Sequence, residues 1–472
     1  MTRRAAAVAT IAGLVVLAAC GDLFSEAAQC KSPRDCEKFQ AKCDLAQGIC
    51  VPFGPGEEDS GSVVAEADAL APVGDAAEDA PVLNPACLVS PKPTAPVPTT
   101  PGVDAGDAEI AASLTLDCTK DWILQGRVFV RSGATVTIEP GTTIRGEAAS
   151  GLVVRSGARL VARGRKDAPI VFTSSKAAGA QPGDWRGLYL LGAAPPNGTY
   201  GNDPAYPYGG ASEDDSSGAL EFVRVEYGAA GLVLAGVGSG TKIDHVQVRK
   251  TSDNCFGIAG GRVDAKHLVC QYPADEMFEV GAGYRGRMQF VFGQKVPAGG
   301  NHHGLLVDGT SFPTIYNMTL CGDDAPNLGI GIVFRNNARM SVNGAIVTGW
   351  NGGLDAVGAL GTPVTITRSI LSGNANNPAF VEVEAGPGDT LDDDNGFDEL
   401  TFFADGGTNL TTNAGLVACH DPKNPQPWPA TELAGGATPP ADGFLDVDAT
   451  YVGAFRNGND GWLFGWTHFD DE

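Results

Sequence analysis

The sequence predicts an all-β chain built on a right-handed parallel β-helix. Three observations predict it. Short β-rich runs of three to five residues recur from Trp122 onward, each ended by Gly, Asn or Asp. The pentapeptide Val-Arg-Ser-Gly-Ala occurs at 130–134 and again at 154–158, a shift of 24 residues. Gly (64) and Pro (31) fill about a fifth of the 472 residues, which implies many turns and few long helices. A period in the twenties with several short strands marks a solenoid. One turn cannot bury its own apolar face, and stacking completes the core.

The first element is residues 1–19. Arg3 and Arg4 precede an apolar run from Ala5 to Ala19 that ends at Leu17-Ala18-Ala19-Cys20. The run is short for a bilayer span and has the charge, length and small-residue end of a secretion signal. The tetrapeptide resembles a bacterial lipobox, which implies that Cys20 is acylated and becomes the mature N-terminus. Gly21 follows where an aspartate would argue for inner-membrane retention, so the outer membrane is expected. The lipid is then the membrane anchor.

Residues 20–50 carry the lipidated cysteine and a small module. Cys30, Cys36, Cys43 and Cys50 are separated by five, six and six residues. That packing suits two disulfides in a segment too short to build a core. Zinc pairs want shorter gaps. Of the 11 cysteines, Cys20 is assigned to lipid, leaving an even ten for an oxidising compartment. Residues 51–112 are a Pro-, Ala- and acid-rich linker in which Pro91–Pro101 reads as stiff and extended. Cys87 interrupts it and is expected to pair with Cys118. Cys255, Cys270, Cys321 and Cys419 complete the disulfide candidates, with their connectivity open.

Residues 113–373 form the β-helix. Runs such as Leu152-Val-Val, Ile170-Val-Phe, Gly231-Leu-Val-Leu and Ile330-Gly-Ile-Val-Phe supply its strands. A β-sandwich would show longer alternating strands joined by tight hairpins. Asn-Gly pairs at 197, 343, 351, 395 and 457 separate no matched runs. Residues 374–472 are an irregular capping region whose end, Tyr451-Val-Gly-Ala-Phe455 through Trp462-Leu-Phe-Gly-Trp466, is aromatic. Solenoid ends need cover, because exposed strands pair with other molecules.

Several long motifs are familiar. Gly126-Arg-Val-Phe-Val-Arg-Ser-Gly-Ala-Thr-Val-Thr-Ile-Glu-Pro-Gly-Thr-Thr-Ile-Arg-Gly146 resembles the opening turn of a family of secreted or lipid-anchored β-helix proteins of Gram-negative bacteria. The likeness continues through Pro182-Gly-Asp-Trp-Arg-Gly187, Ser212-Glu-Asp-Asp-Ser-Ser-Gly218, Val223-Arg-Val-Glu-Tyr227 and Gly236-Val-Gly-Ser-Gly-Thr-Lys-Ile-Asp-His-Val-Gln-Val248. It returns at Tyr451–Phe455 and Gly465-Trp466. The resemblance implies fold and location and no settled activity. The family's middle turns carry paired acids, where this sequence has Ser252-Asp-Asn-Cys-Phe-Gly257 and Ala274-Asp-Glu-Met-Phe-Glu279, so it keeps part of that set.

The net charge of −24 becomes −26 once Arg3 and Arg4 leave with the signal. Such a surface repels nucleic acid and anionic headgroups and leaves membrane attachment to the lipid. No cofactor is required by any motif. Asp214, Asp215, Asp253, Asp275, Glu276, Glu279 and Asp308 recur at turn-like intervals, and stacking would bring several to one face. Hard oxygen ligands of that kind suit Ca²⁺. β-Helix polysaccharide lyases combine such a cluster with a base, for which Arg285 or Lys266 is the candidate. The alternative is a solvated acidic face with turn-capping aspartates.

Other constellations fail. Asp214-Asp215 and His303-Gly304 faintly resemble pectin-hydrolase motifs but stand 88 residues apart. Asp392-Asp393-Asp394-Asn395-Gly396 would put Leu391 and Phe402 at the first and last ligand positions of a calcium loop. His302 and His303 are adjacent and point to opposite faces of a strand. His245 and His267 fall at surface or ladder positions. No Gly-x-Ser-x-Gly and no phosphate-binding loop occurs. Two functions follow as expectations: a non-enzymatic surface adhesion, glycan-binding or scaffold lipoprotein with a contact surface in the 193–218 loop, or a Ca²⁺-dependent lyase or hydrolase of uronate polymers.

Overall fold

Val130 lies directly across from Val154 in a parallel ladder, so the repeated pentapeptide marks two successive turns of the solenoid. This register is seen in a computed structural model, which describes residues 41–44, 49–52, 85–102, 104–295, 302–323, 329–374 and 396–469. The chain divides into two compact units, Met1–Ala80 and Pro81–Glu472. In the first, Ala41–Asp44 pairs antiparallel with Ile49–Pro52 and sets Cys43 opposite Cys50. Cys20, Cys30, Cys36 and the acidic run Asp392–Asp394 lie outside the described residues. No helix among the described residues is long and apolar enough to cross a membrane.

The second unit is a right-handed parallel β-helix. Among the described residues, its strands form one sheet of 15 and one of 11. Each turn adds a strand to both sheets, and like residues stack inward. Val223, Val246, Leu268, Val291, Met318 and Ala345 follow one another on the larger sheet. Leu232, Phe256, Phe278, Leu305, Ile332 and Leu354 do so on the smaller. The rings of Phe256 and Phe278 stack at 5.0 Å. Each such side chain is buried, and each except Ala345 contributes on the order of 1.5–3 kcal/mol by leaving water.

The solenoid begins before residue 113. Thr94–Pro96 pairs with Asp121–Leu124, and Asp107–Ile110 pairs with Arg127–Val130. The Pro-rich stretch expected as spacer is therefore a first turn from residue 94 onward. Proline is tolerated there because the strand has a neighbour on one side only. Cys87 and Cys118, expected as partners, form a disulfide in this region. Cys255–Cys270 joins the two sheets inside the core, and Cys321–Cys419 ties the C-terminal region to a turn.

The larger sheet is bent. Phe222, His245, His267, Phe290, Asn317, Gly344 and Arg368 recur once per turn with φ between 51° and 69°, which turns each strand through a corner. Glycine, asparagine and, among larger side chains, histidine suit that left-handed position; phenylalanine is uncommon there, and these four rings are not left to solvent. They stack instead, Phe222 on His245 at 4.3 Å, His245 on His267 at 4.1 Å and His267 on Phe290 at 4.8 Å.

The aromatic C-terminal region does two jobs. The short helix Glu399–Asp405 covers the last turn, with Phe397, Phe402 and Phe403 packed into the main core near Phe334. Its buried Glu399 accepts the Ala356 N–H at 2.9 Å. The remainder, from Ala414 to Phe469, runs along the flank of the larger sheet. Outward residues that would otherwise meet water are buried beneath it: Gln247, Val269, Phe292 and Thr319, and beside them Arg249, Gln271, Gln294 and Cys321. Gln271 donates to Pro422 O at 3.0 Å, Gln294 to Asp421 O at 2.6 Å, and Asn317 to Tyr451 O at 2.8 Å.

Candidate functional site

Stacking places residues of successive turns side by side, and this is how the acids meet. The N–H of Cys255 bonds the carbonyl of Glu276, and that of Met277 bonds the carbonyl of His303. Asn254, Glu276 and His303 are thus equivalent positions, as are Asp253, Asp275 and His302 just before them. One strand onward, Gly257 pairs with Glu279, which pairs with Leu306. Asp253, Asp275, Glu276, Glu279 and Asp308 line a groove of about 490 Å³ on the smaller sheet. Asp214 and Asp215 do not join them. They sit in the turn 212–217, where the Asp215 carbonyl accepts the Gly240 N–H and its carboxylate holds Ser217 at 3.4 Å.

The groove is strongly anionic. Burial, then the contact with Asp275, pushes the Glu276 carboxyl up to about 8. Burial also raises Glu279, with Asp253 and Asp275 adding to it. Asp253 is raised by burial and by Asp275, against the Asn254 backbone bond. Asn254 orients two of these acids: its Nδ2 donates to Glu279 Oε2 at 2.6 Å, and its Oδ1 accepts the Glu276 N–H at 2.9 Å. His302 Nδ1 stands 3.3 Å from Asp275. Arg335 is held on Asp308 at 2.8 Å. Burial, and then Arg335, pushes His303 down to about 4.

Neither candidate base reaches this groove. Lys266 stands on the larger sheet with its ammonium 4.9 Å from the Phe444 ring. Arg285 is exposed in a turn whose N–H bonds Gly261 O, outside the groove lining. The expected lyase pairing of acids with Lys266 or Arg285 is therefore corrected: strand order separates them.

Two tyrosines are among the lining residues that escaped the sequence reading. Tyr200 and Tyr208 come from the long excursion 193–217, which folds over the outer face of the smaller sheet. Burial raises the Tyr200 hydroxyl, and Glu279 and Asp253 add to it. Gly257 makes room for that hydroxyl, because a Cβ there would come within contact of it. The only signal in the sequence was the length of the excursion. The carboxylates supply hard oxygen donors of the kind Ca²⁺ prefers, and their mutual proximity is the cost a cation would relieve. The arrangement can therefore accept hydrogen bonds from hydroxyls, and it presents a protonated Glu276 beside Asp275.

A family model described as pectate-lyase-like beta helix domain matches residues 108–412. No curated protein and no solved structure matches the chain.

Proposed function

This chain belongs to the pectate-lyase-like β-helix domain family, and from that premise we propose that it is an exported, lipid-anchored cell-envelope protein that binds glycan non-enzymatically in the acidic groove. The reading is carried by one observation. Asp253, Asp275, Glu276, Glu279 and Asp308 converge in a groove beside Tyr200 and Tyr208. Carboxylates accept hydrogen bonds from sugar hydroxyls, and tyrosine rings offer flat apolar faces to sugar rings. Asp253, Asp275 and Glu276, the last giving up its proton to the ion, would hold Ca²⁺, which supplies a positive centre for hydroxyl or carboxylate oxygens. Arg335, the cation named on its rim, is engaged by Asp308, and His302 is engaged by Asp275. That supports binding over proton abstraction. The lipid at Cys20 tethers the whole to the outer membrane.

The test is a glycan array probed with residues 21–472 in Ca²⁺ and in chelator. Binding that needs Ca²⁺ and is lost in Asp275→Asn and Glu276→Gln supports the reading. A blank array in both conditions, or binding indifferent to both substitutions, sinks it. For the anchor, Cys20→Ser should move the protein from the membrane to the soluble fraction.

A second reading is favoured by Glu276 alone. A carboxyl whose proton is held at neutral pH by burial and by Asp275 is a candidate general acid for glycosidic cleavage. Release of reducing ends or unsaturated products from uronate polymers would establish it, and a flat trace across pectin, alginate and glycosaminoglycans would remove it.

A further inference from the structure

We propose that Asp244, His245 and His267 form a binding site for a divalent transition-metal ion of the zinc class. His245 and His267 occupy the left-handed corner position of consecutive turns, with φ of 55° and 51°. That backbone swings both rings to the same side. Their Nδ1 atoms stand 2.8 and 2.7 Å from one oxygen, Asp244 Oδ1. The three donor atoms lie within 4.8 Å of one another.

Two nitrogens and one carboxylate oxygen are a donor set that suits zinc, nickel or copper, and differs from the all-oxygen groove on the other sheet. Neutral imidazole nitrogens bind zinc at about 2.0–2.1 Å, so the ion takes the place of the two Nδ1 protons between the rings and the carboxylate, each ring then carrying its one proton on Nε2. Three protein ligands leave a fourth position for water or a ligand atom. The path to it is open, since the Asp244 side chain is 28% exposed and each imidazole 18%.

The rings are held in this pose by packing. Phe222 stacks on the outer side of His245, and Phe290 on that of His267. From the docked C-terminal region, Trp466 meets His245 edge-on at 5.5 Å and Trp462 meets His267 at 5.1 Å. Ligands fixed before binding lose little freedom when the ion arrives. The same contacts make a consequence: an ion that stiffens the histidine pair also stiffens the seat of the two tryptophans.

The test uses the 21–472 chain freed of metal by chelator and titrated calorimetrically with ZnCl₂. One ion per chain is expected at this site. Asp244→Asn and His267→Gln should weaken it by roughly a hundredfold or more, since even outer-shell partners are worth about 10–100-fold. Glu276→Gln, in the acidic groove, should leave it unchanged. Circular dichroism checks that the variants fold, and Cu²⁺ bound to the unsubstituted chain gives a spin-resonance readout of nitrogen ligation that needs no variant. Zinc binding that survives Asp244→Asn and His267→Gln overturns the proposal. So do a Cu²⁺ spectrum with oxygen ligands alone and an absence of zinc binding in the unsubstituted chain.

Discussion

Gln289 holds Asp446 by both atoms of its side-chain amide. Its Nε2 donates to the Asp446 carbonyl at 3.2 Å, and its Oε1 accepts the Asp446 N–H at 2.7 Å. The two residues are 157 apart in sequence. The side chain thus imitates a neighbouring strand and gives the C-terminal region a backbone-like partner on the flank. Gln247 does the same for His468, with both bonds at 2.8 Å.

Replacing Gln289 with Leu should remove both of these bonds from the Asp446 peptide group, whose carbonyl then keeps only the Ala449 N–H. The expected cost is about 1–3 kcal/mol. Urea titration should show it, together with faster proteolysis near 442–450 than in the unsubstituted protein. Equal stability and equal cleavage would mean the amide pairing holds nothing.

Removing Cys321 and Cys419 together, as serines, opens a loop of 98 residues. Chain-entropy arguments give a loss of up to about 4–5 kcal/mol for a loop near that length. The loss should appear as a lower thermal midpoint and as early release of Trp428, Trp462 and Trp466 fluorescence. The β-rich circular dichroism of the solenoid should survive at temperatures where the tryptophan signal has gone.

Glu276 keeps its proton in the folded chain to about pH 8, whereas the unfolded chain gives it up near 4.5. Between those values the folded state binds more protons, so stability falls as pH rises through the window. Glu276→Gln cannot ionise and should melt at a higher temperature than the unsubstituted chain at about pH 9, with the gap closing near pH 4.5. Thermal melts across that range check the sign. A constant gap would show that Glu276 ionises normally.

Gly257→Ala introduces a methyl group where the Tyr200 hydroxyl sits. The strand can keep its register, because outward positions tolerate side chains. Tyr200 must therefore move, and hydrogen exchange should rise across 198–208 while the core strands keep their protection. Unchanged exchange there would show that the excursion is held without Tyr200.

Part of this was legible in the residues. The shift of 24 between the Val-Arg-Ser-Gly-Ala copies is a true turn, since Val130 pairs with Val154. Asp253 and Asp275 could be read as neighbours because one turn of 22 residues separates them, and stacking brings both into the groove. Asp214 and Asp215 looked alike on paper but belong to an excursion that leaves the turn period, so no stacking aligns them. The corner stack was hidden because turn length varies: Phe222, His245, His267, Phe290 and Asn317 are 23, 22, 23 and 27 apart. The path of the C-terminal region was hidden for a different reason. Its partners are outward glutamines, which read as solvent-facing strand residues until something is laid over them.

A plain solenoid behaves as a row of units that each feel only the next, so it can fray from either end or part in the middle. The flank-running C-terminal region changes that. It touches turns from Lys166 to Ile370, through Gly461, Gln247, Gln289, Asn317 and Val452. A break between any two of those turns must also tear the seam that spans them. The seam is made of residues that follow every turn it spans, so a chain truncated before about residue 414 can stack its turns and still lack what makes them melt together.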